Sequence, residues 1–348
     1  MNQPNTNLMS RRSLLGRGFA LGALGVGGAM IGVRPGFAQD LTEVKLQLGW
    51  LVTNGCIGEI VAQSMGYYKE QGLNLTITPG GPNIDGVAAV ASGAANMGSI
   101  SSSPSLMLAR SEGIPVKCVA TGYQQHPFTY FSLAKNPVKT PQDMIGKKIG
   151  TNATAKILLQ ALLAKHNIPE DQVEVVVVGS DVGPLLSGQV DVITGWQTTV
   201  ALTEAMGADR VEMRLWDQGV QLLANPYYVT DDTLANNFDV VVKMINAGSR
   251  GWGWVYENPE KAVDIMVEAY PNMDRDNELA AIPMVLKYVF NAQTAANGWG
   301  TMTAENWQAQ IDAYNALGQF QGTVPTVDDV MTLKVLEATA DVRPKLGS

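Results

Sequence analysis

Apolar and polar positions alternate through Val44-Lys45-Leu46-Gln47-Leu48, the two-residue period of a half-buried strand. Glu59 to Gln71 then carries helical spacing and stops at Gly72. Leu73 to Ile77 reads as a second strand, Asp85 to Ser92 as a short helix ending at Gly93, and Ala95 to Ile100 as a third strand. Leu106 to Glu112 is helical before Gly113, and Val116 to Thr121 is a fourth strand. Strand and helix alternate with short links, which predicts an α/β layer: a mostly parallel sheet flanked by helices.

The same rhythm restarts near Tyr130. Phe131 to Ala134 and Lys148 to Gly150 read as strands, Lys156 to His166 as a helix, and Val173 to Val178 as a run apolar apart from Glu174 and suited to a buried parallel strand. Val182 to Ser187 is a short helix and Val190 to Thr194 a strand. After Leu222 to Val229 the pattern is helical to the end, with amphipathic stretches at Phe238–Tyr256, Glu260–Ala269 and Ala304–Leu317. The pattern predicts two α/β lobes and a helical tail, with crossings near residues 122–130 and 222–229.

The N-terminus does not follow this rhythm. Ser10-Arg11-Arg12-Ser13-Leu14-Leu15 precedes a Gly- and Ala-rich apolar run from Phe19 to Val33, and Gly36-Phe37-Ala38 offers a small-residue cleavage site. That layout reads as a twin-arginine-type export signal over residues 1–38, removed near Ala38, with a periplasmic destination. The apolar run is too short and too glycine-rich for the roughly twenty residues of a spanning helix. Charge supports the division. Four arginines and no acid fall in residues 1–38, leaving 20 basic and 32 acidic residues beyond, a net charge of −12. So acidic a body argues against a nucleic-acid partner, which demands clustered Lys and Arg. With 2 Cys and 2 His in 348 residues, a Cys- or His-rich zinc protein is excluded. Cys56 and Cys118 could pair in an oxidising compartment, but Cys118 sits in a strand-like run where a buried free thiol is common.

A series of short motifs carries a family resemblance. Leu48-Gly49-Trp50 with Gly66-Tyr67-Tyr68-Lys69-Glu70-Gln71-Gly72-Leu73, then Val90-Ala91-Ser92-Gly93-Ala94-Ala95-Asn96-Met97-Gly98, Gly113-Ile114-Pro115-Val116, Thr140-Pro141-Gln142-Asp143-Met144-Ile145-Gly146-Lys147-Lys148-Ile149-Gly150 and Leu185-Leu186-Ser187-Gly188-Gln189-Val190-Asp191 occur in one order. Together they resemble the solute-binding proteins of ABC importers for taurine, nitrate and thiamine-pyrimidine precursors. The resemblance implies the two-lobe periplasmic binding protein fold of type II. Residues 39–126 and 228–348 would form the first lobe with its helical tail, and 127–227 the second. It also implies a monomer, not embedded in the membrane, that closes like a clamshell over one small molecule and delivers it to ABC permease and ATPase subunits. No cofactor or metal is expected.

Within the group, Trp50 and Gln124-Gln125-His126-Pro127-Phe128 lean toward the pyrimidine-precursor and riboflavin binders. The pyrimidine binders' Asp-Trp-x-x-Asn-x-x-His pattern is not kept: Gly49, Trp50, Thr53 and Cys56 stand at those positions, so only the tryptophan carries over.

Ligands of doubly wound sheets meet the carboxyl ends of strands, where loops enter helices. The loops there supply the rings of Trp50, Tyr123, His126 and Trp196, the hydroxyls of Ser101, Ser102 and Thr151, and the amides of Asn54, Gln124, Asn152 and Gln197. Asp181, Glu59 and, on the returning crossover, Tyr228 complete the candidate set, and no Lys or Arg falls among them. Several have a simpler reading: Ser101 to Ser103, Asn152 and Asp181 all stand where a helix cap would. Rings with amides and acids suit a flat neutral or amine-bearing heterocycle, stacked on its faces and read at its edge. Helix N-termini and hydroxyls can hold a sulfonate or nitrate, which leaves a taurine, alkanesulfonate or nitrate receptor as the alternative. A synthase-type enzyme is the third reading: Cys56 and His126 could form a thiol–imidazole pair. No Gly-x-Ser-x-Gly elbow or phosphate-binding Gly-x4-Gly-Lys loop accompanies it.

Overall fold

The computed structural model describes residues 41–81 and 84–348; the segment read from the sequence as an export signal, with its cleavage site, lies outside the described residues. Ten strands form two sheets of five. They are β1 (Thr42–Leu48), β2 (Leu73–Thr78), β3 (Met97–Ser99), β4 (Val116–Tyr123), β5 (Phe128–Leu133), β6 (Lys148–Thr151), β7 (Glu174–Val177), β8 (Val192–Trp196), β9 (Arg210–Arg214) and β10 (Ala224–Thr230). The first sheet has the order β2-β1-β3-β10-β4 and the second β7-β6-β8-β5-β9. β1 runs parallel to β2 and β3, and β6 parallel to β7 and β8. β10 is antiparallel to both its neighbours, and so is β5.

Each sheet thus has one reversed strand, fourth in its order, and that strand is the one by which the chain crosses over. β5 enters the second sheet directly after β4, and β10 returns to the first after β9. The same arrangement on both sides puts a topological switch point between β1 and β3 and another between β6 and β8, the places where open α/β sheets bind ligands. The two mixed, mostly parallel sheets flanked by helices are the periplasmic binding protein fold expected from the sequence. The returning strand joins the first sheet from Ala224, ahead of the expected position 228.

Local corrections have physical causes. The expected helix Glu59–Gln71 is two helices, Ile57–Ser64 and Tyr67–Glu70, separated at Gly66, whose φ of 80° suits glycine and breaks the spiral. The apolar run around β7 is an edge strand rather than a buried one, and Val177 is 70% exposed. β9, Arg-Val-Glu-Met-Arg, went unread because its polar residues mask a strand; on the opposite edge of the same sheet, those charges discourage pairing with another chain.

The tail packs on the first sheet. The helix Phe238–Glu257 crosses Ile57–Ser64 at glycines: a Cβ on Gly251 would lie 2.0 Å from the Gly58 carbonyl oxygen, so only glycine admits that approach. The tail also covers the edge strand β4, whose Thr121 N–H donates to Gly300 O. Cys56 and Cys118 are both buried and unpaired. Among the described residues no helix is long and apolar enough to cross a membrane, and no cluster of His, Cys, Asp and Glu could hold a metal.

Candidate ligand-binding cleft

A cavity of about 490 Å³ opens where the ends of the two sheets face each other, within the usual range for small-molecule sites. From the first sheet it is lined by the loop after β1 (Gly49 to Cys56), the loop after β3 (Ile100 to Ser102) and Asn225 near the start of β10. From the second come Phe128, Asn152, Thr154, Gly179, Ser180, Thr194, Trp196, Thr198 and Thr199, and the tail adds Glu278. β5 and β10 are reversed, so their amino ends reach the same mouth as the carboxyl ends of the others. Leu51 and Ile84, 54% and 52% exposed, also belong to its lining.

Six of the candidate residues lie on this cavity: Trp50, Asn54, Ser101, Ser102, Asn152 and Trp196. The Trp196 ring leans on Tyr123 (centroids 5.8 Å apart) and on His126 (5.5 Å). Asn54 ties three parts of the molecule together. Its amide nitrogen donates to Glu278 Oε2 at 2.8 Å and to the carbonyl oxygen of Thr198 at 3.3 Å. Asn152 Oδ1 accepts from the N–H of Ala155 at 2.8 Å and from Thr154 Oγ1, capping the turn into the helix Lys156–Lys165. Ser103 does not cap the helix Pro104–Ser111; its hydroxyl is taken up by Leu223 O and Gln310.

The other eight sit off the lining. Glu59 is 2% exposed in the core behind the first sheet, where its Oε1 accepts from Tyr227 Oη at 2.5 Å and Trp252 Nε1 at 3.1 Å. Burial pushes its carboxyl up to about 7, against the pull of those two donors. Tyr123 is buried because the tail closes over β4; it stacks on Tyr288, rings 6.2 Å apart and 6° from parallel. Gln124, also under the tail, donates to Thr301 O. Thr151 Oγ1 accepts from Thr194, whose side chain stands between it and the cavity. Asp181 is exposed and caps Gly183. Gln197 is held between Glu212 and the Tyr288 hydroxyl. Tyr228 is buried within β10, its hydroxyl beside Gly98 and without a partner among the described residues.

His126 is fully buried and bonds Ser102 rather than Cys56. Its Nδ1 accepts from the Phe128 N–H at 3.2 Å, so the ring proton is on Nε2 and donates to Ser102 Oγ at 2.6 Å. Burial lowers its pKa to about 3, so the ring is neutral near neutral pH. Cys56 lines the cavity, but burial, with Glu59 adding to it, pushes its thiol up to about 12, and its S–H donates to Thr53 O. The thiol–imidazole pair is not formed.

Among the lining residues that escaped sequence reasoning, Asn225 and Glu278 bear most on the chemistry. Asn225 holds a left-handed backbone, φ 50°, inside a strand, and its amide donates to Gly55 O at 3.0 Å. The Asn225-Pro226 dipeptide was a signal for irregular backbone there. Glu278 comes from the tail helix Arg275–Val289, and nothing in its helical period marks it as facing the cleft. Burial raises its pKa from the ordinary carboxylate value, opposed by the Asn54 bond and reinforced by Asp274. Among the described residues the cavity lining contains two carboxylates, Asp85 and Glu278, and no Lys, Arg or His.

The chain is similar to the riboflavin-binding protein RibY of Chloroflexus aurantiacus, 25% identical over 301 residues that cover 83% of this chain and 85% of that protein. It is similar to the formylaminopyrimidine-binding protein of Halalkalibacterium halodurans, 26% identical over 81% of this chain and 88% of that one. Among solved structures, the periplasmic aliphatic sulphonate binding protein SsuA of Escherichia coli superposes with a TM-score of 0.64 at 14% identity, covering 83% of this chain and 97% of that one, a likeness of fold. The pattern of a family described as NMT1/THI5 like matches residues 53–262, more than half of the length, and the chain belongs to that family.

Proposed function

We propose that the protein is the exported ligand-capturing component of an ABC importer, which takes up a small heteroaromatic molecule between its two sheets and passes it unaltered to a permease. The observation that carries this reading is the cavity between two similarly wound sheets, with an indole from each, Trp50 and Trp196, and no cation in its lining among the described residues. Stacking on indoles rewards a flat ring, and the surrounding amides and hydroxyls can read its edge. The names of RibY and the formylaminopyrimidine-binding protein, both binders of nitrogen heterocycles, support the same class. The mechanism is closure: a ligand that touches both sheets binds the closed arrangement better and shifts the population toward it. Asn54, which already reaches Thr198 across the mouth, belongs to that closure. The segment 1–38 supports export to the periplasm.

Catalysis is disfavoured by the chemistry of the nucleophile–imidazole contact between Ser102 and His126, the one found among the described residues. His126 Nδ1 is occupied by the Phe128 N–H, so Nε2 donates to Ser102 and cannot serve as the base that activates it. Cys56 is held as the neutral thiol. A thermal-shift panel of pyrimidines, flavins, polyamines and sulfonates tests the reading, because a ligand of the native state raises the melting temperature. Stabilisation by heterocycles is expected. A response to sulfonates alone would replace the ligand class, and turnover of any compound would replace the binding role with an enzymatic one.

A further inference from the structure

We propose that Glu278, together with the side-chain carbonyl oxygens of Asn54 and Asn225, makes this cleft selective for ligands that present N–H donors, such as the amino-bearing edge of a heterocycle, and closes it to anions. This rests on the ligand-capture reading above and narrows it. The orientation of the Asn54 amide is fixed by its partners. Glu278 Oε2 and Thr198 O are both acceptors, so the group between them is the NH₂, and both of its hydrogens are used. The Asn225 amide is fixed in the same way by Gly55 O. What remains at this end are oxygens. Among the described residues Asn54 Oδ1, Asn225 Oδ1 and Glu278 Oε1 have no hydrogen-bond donor from the protein, and all three groups line the cavity around the Asn54-Gly55 turn.

Asn54 is 8% and Asn225 9% exposed, so neither is a loose surface amide that could turn over freely. The left-handed backbone at Asn225, beside Gly55 and Gly122, holds that side chain in place: a Cβ on either glycine would come within 3.1 Å of it. The opposite wall has the reverse polarity. Asn152 spends its oxygen on Ala155 and Thr154, leaving its NH₂ as a donor. A ligand that donates toward Glu278 and accepts toward Asn152 satisfies both walls. A sulfonate offers only acceptors, and at the Glu278 end it would set a negative charge beside a carboxylate with no Lys, Arg or His among the described lining residues to offset it.

The test compares 4-aminopyrimidine with 4-methylpyrimidine, which keeps the ring and replaces NH₂ by CH₃, and with methanesulfonate. Each is titrated by ligand-observed NMR against the full-length protein and its Glu278→Gln variant. The wild type is expected to bind the amine at least tenfold more tightly than the methyl compound, as sites built to pair an N–H do. Methanesulfonate should not displace it, and Glu278→Gln should cut the preference several-fold. Equal binding of the two pyrimidines by the wild type would overturn the proposal while leaving heterocycle capture intact, and needs no variant. A preference undiminished in Glu278→Gln would remove Glu278 from it, and displacement by methanesulfonate would overturn the exclusion of anions. If neither pyrimidine binds, the capture of heterocycles fails and the proposal fails with it.

Discussion

Two glutamates, Glu59 behind the first sheet and Glu278 at the cavity, differ in their surroundings, and the difference separates scaffold from site. Glu59 lies in the packed layer between the first sheet and the tail, with one oxygen accepting from Tyr227 and Trp252. Glu278 reaches the cavity mouth, where one oxygen accepts from Asn54 and the other has no protein donor among the described residues. Both carboxyls are raised by burial, so a shifted pKa alone does not distinguish them. What does is the set of partners. Glu59 is enclosed by Tyr227 of β10 and Trp252 of the tail, and its second oxygen, also without a partner among the described residues, faces packed core, whereas the free oxygen of Glu278 belongs to a group that lines the cavity. A perturbed acid marks a site only where something outside the protein can answer it.

The largest expected effect falls on the enclosed acid. Glu59→Ala would strand the Tyr227 hydroxyl and the Trp252 N–H in the core and leave a gap beneath the crossing helices. The expected loss is about 3–5 kcal/mol of folding stability in a denaturant titration. A loss under about 1 kcal/mol would mean that these donors find other partners and that the Glu59 layer is no scaffold.

A subtler effect comes from pairing Glu59 with His126. The native Glu59 stays protonated up to about 7, whereas the unfolded acid ionises near 4.5, so its contribution to stability falls as pH rises through that interval. The native His126 stays neutral down to about 3, whereas the unfolded ring takes its proton near 6.5, so its contribution falls as pH drops below that value. Between pH 4.5 and 6.5 the two slopes oppose each other, because unfolding releases a proton from one site and takes one up at the other. Glu59→Gln should therefore unmask a stability that rises with pH, by roughly 1.4 kcal/mol per unit at most, and His126→Gln one that falls. Parallel slopes in the two variants, read from melts across that window, would show that one group does not titrate as its burial dictates.

How much of this was legible depended on whether a residue's role was local. The strand–helix rhythm, Gly72, Gly93 and Gly113 placed most elements of the first lobe, and the strand-end rule placed Trp50 and Trp196 on the cavity. Capping chemistry put Asn152 where it stands. The rule failed where a third layer intervened. Tyr123 and Gln124 do end a strand, but tail segments near Tyr288 and Thr301 close over that edge, and their contacts come from more than 150 residues away in the chain. Glu59 was misplaced for the same reason: it follows a cavity loop by one turn, yet the helix turns it toward Trp252. Glu278 meets Asn54 across 224 positions, a separation for which a single helix's period carries no information.

The next effect in size is on binding. Trp196→Ala removes one of the two indoles and should weaken a heterocyclic ligand by roughly 1–3 kcal/mol in calorimetry, the scale of a lost aromatic contact. Because Trp196 also leans on Tyr123 and His126, a melt of the unliganded variant separates lost stacking from loosened packing. Unchanged affinity would take Trp196 out of the contact surface.

The smallest effect sharpens the contrast between the two acids. Glu278→Gln keeps the length and shape of the side chain, and its amide oxygen can accept from Asn54 as the carboxylate did. Only the charge and one accepting oxygen at the open end are lost, and there no protein group depends on them. The unliganded variant should therefore unfold within about 0.5 kcal/mol of the wild type, as substitutions away from packed or paired groups do. A loss as large as that of Glu59→Ala would place Glu278 among the supports of the mouth, holding Asn54 and through it Thr198, and would make the open oxygen incidental to ligand recognition.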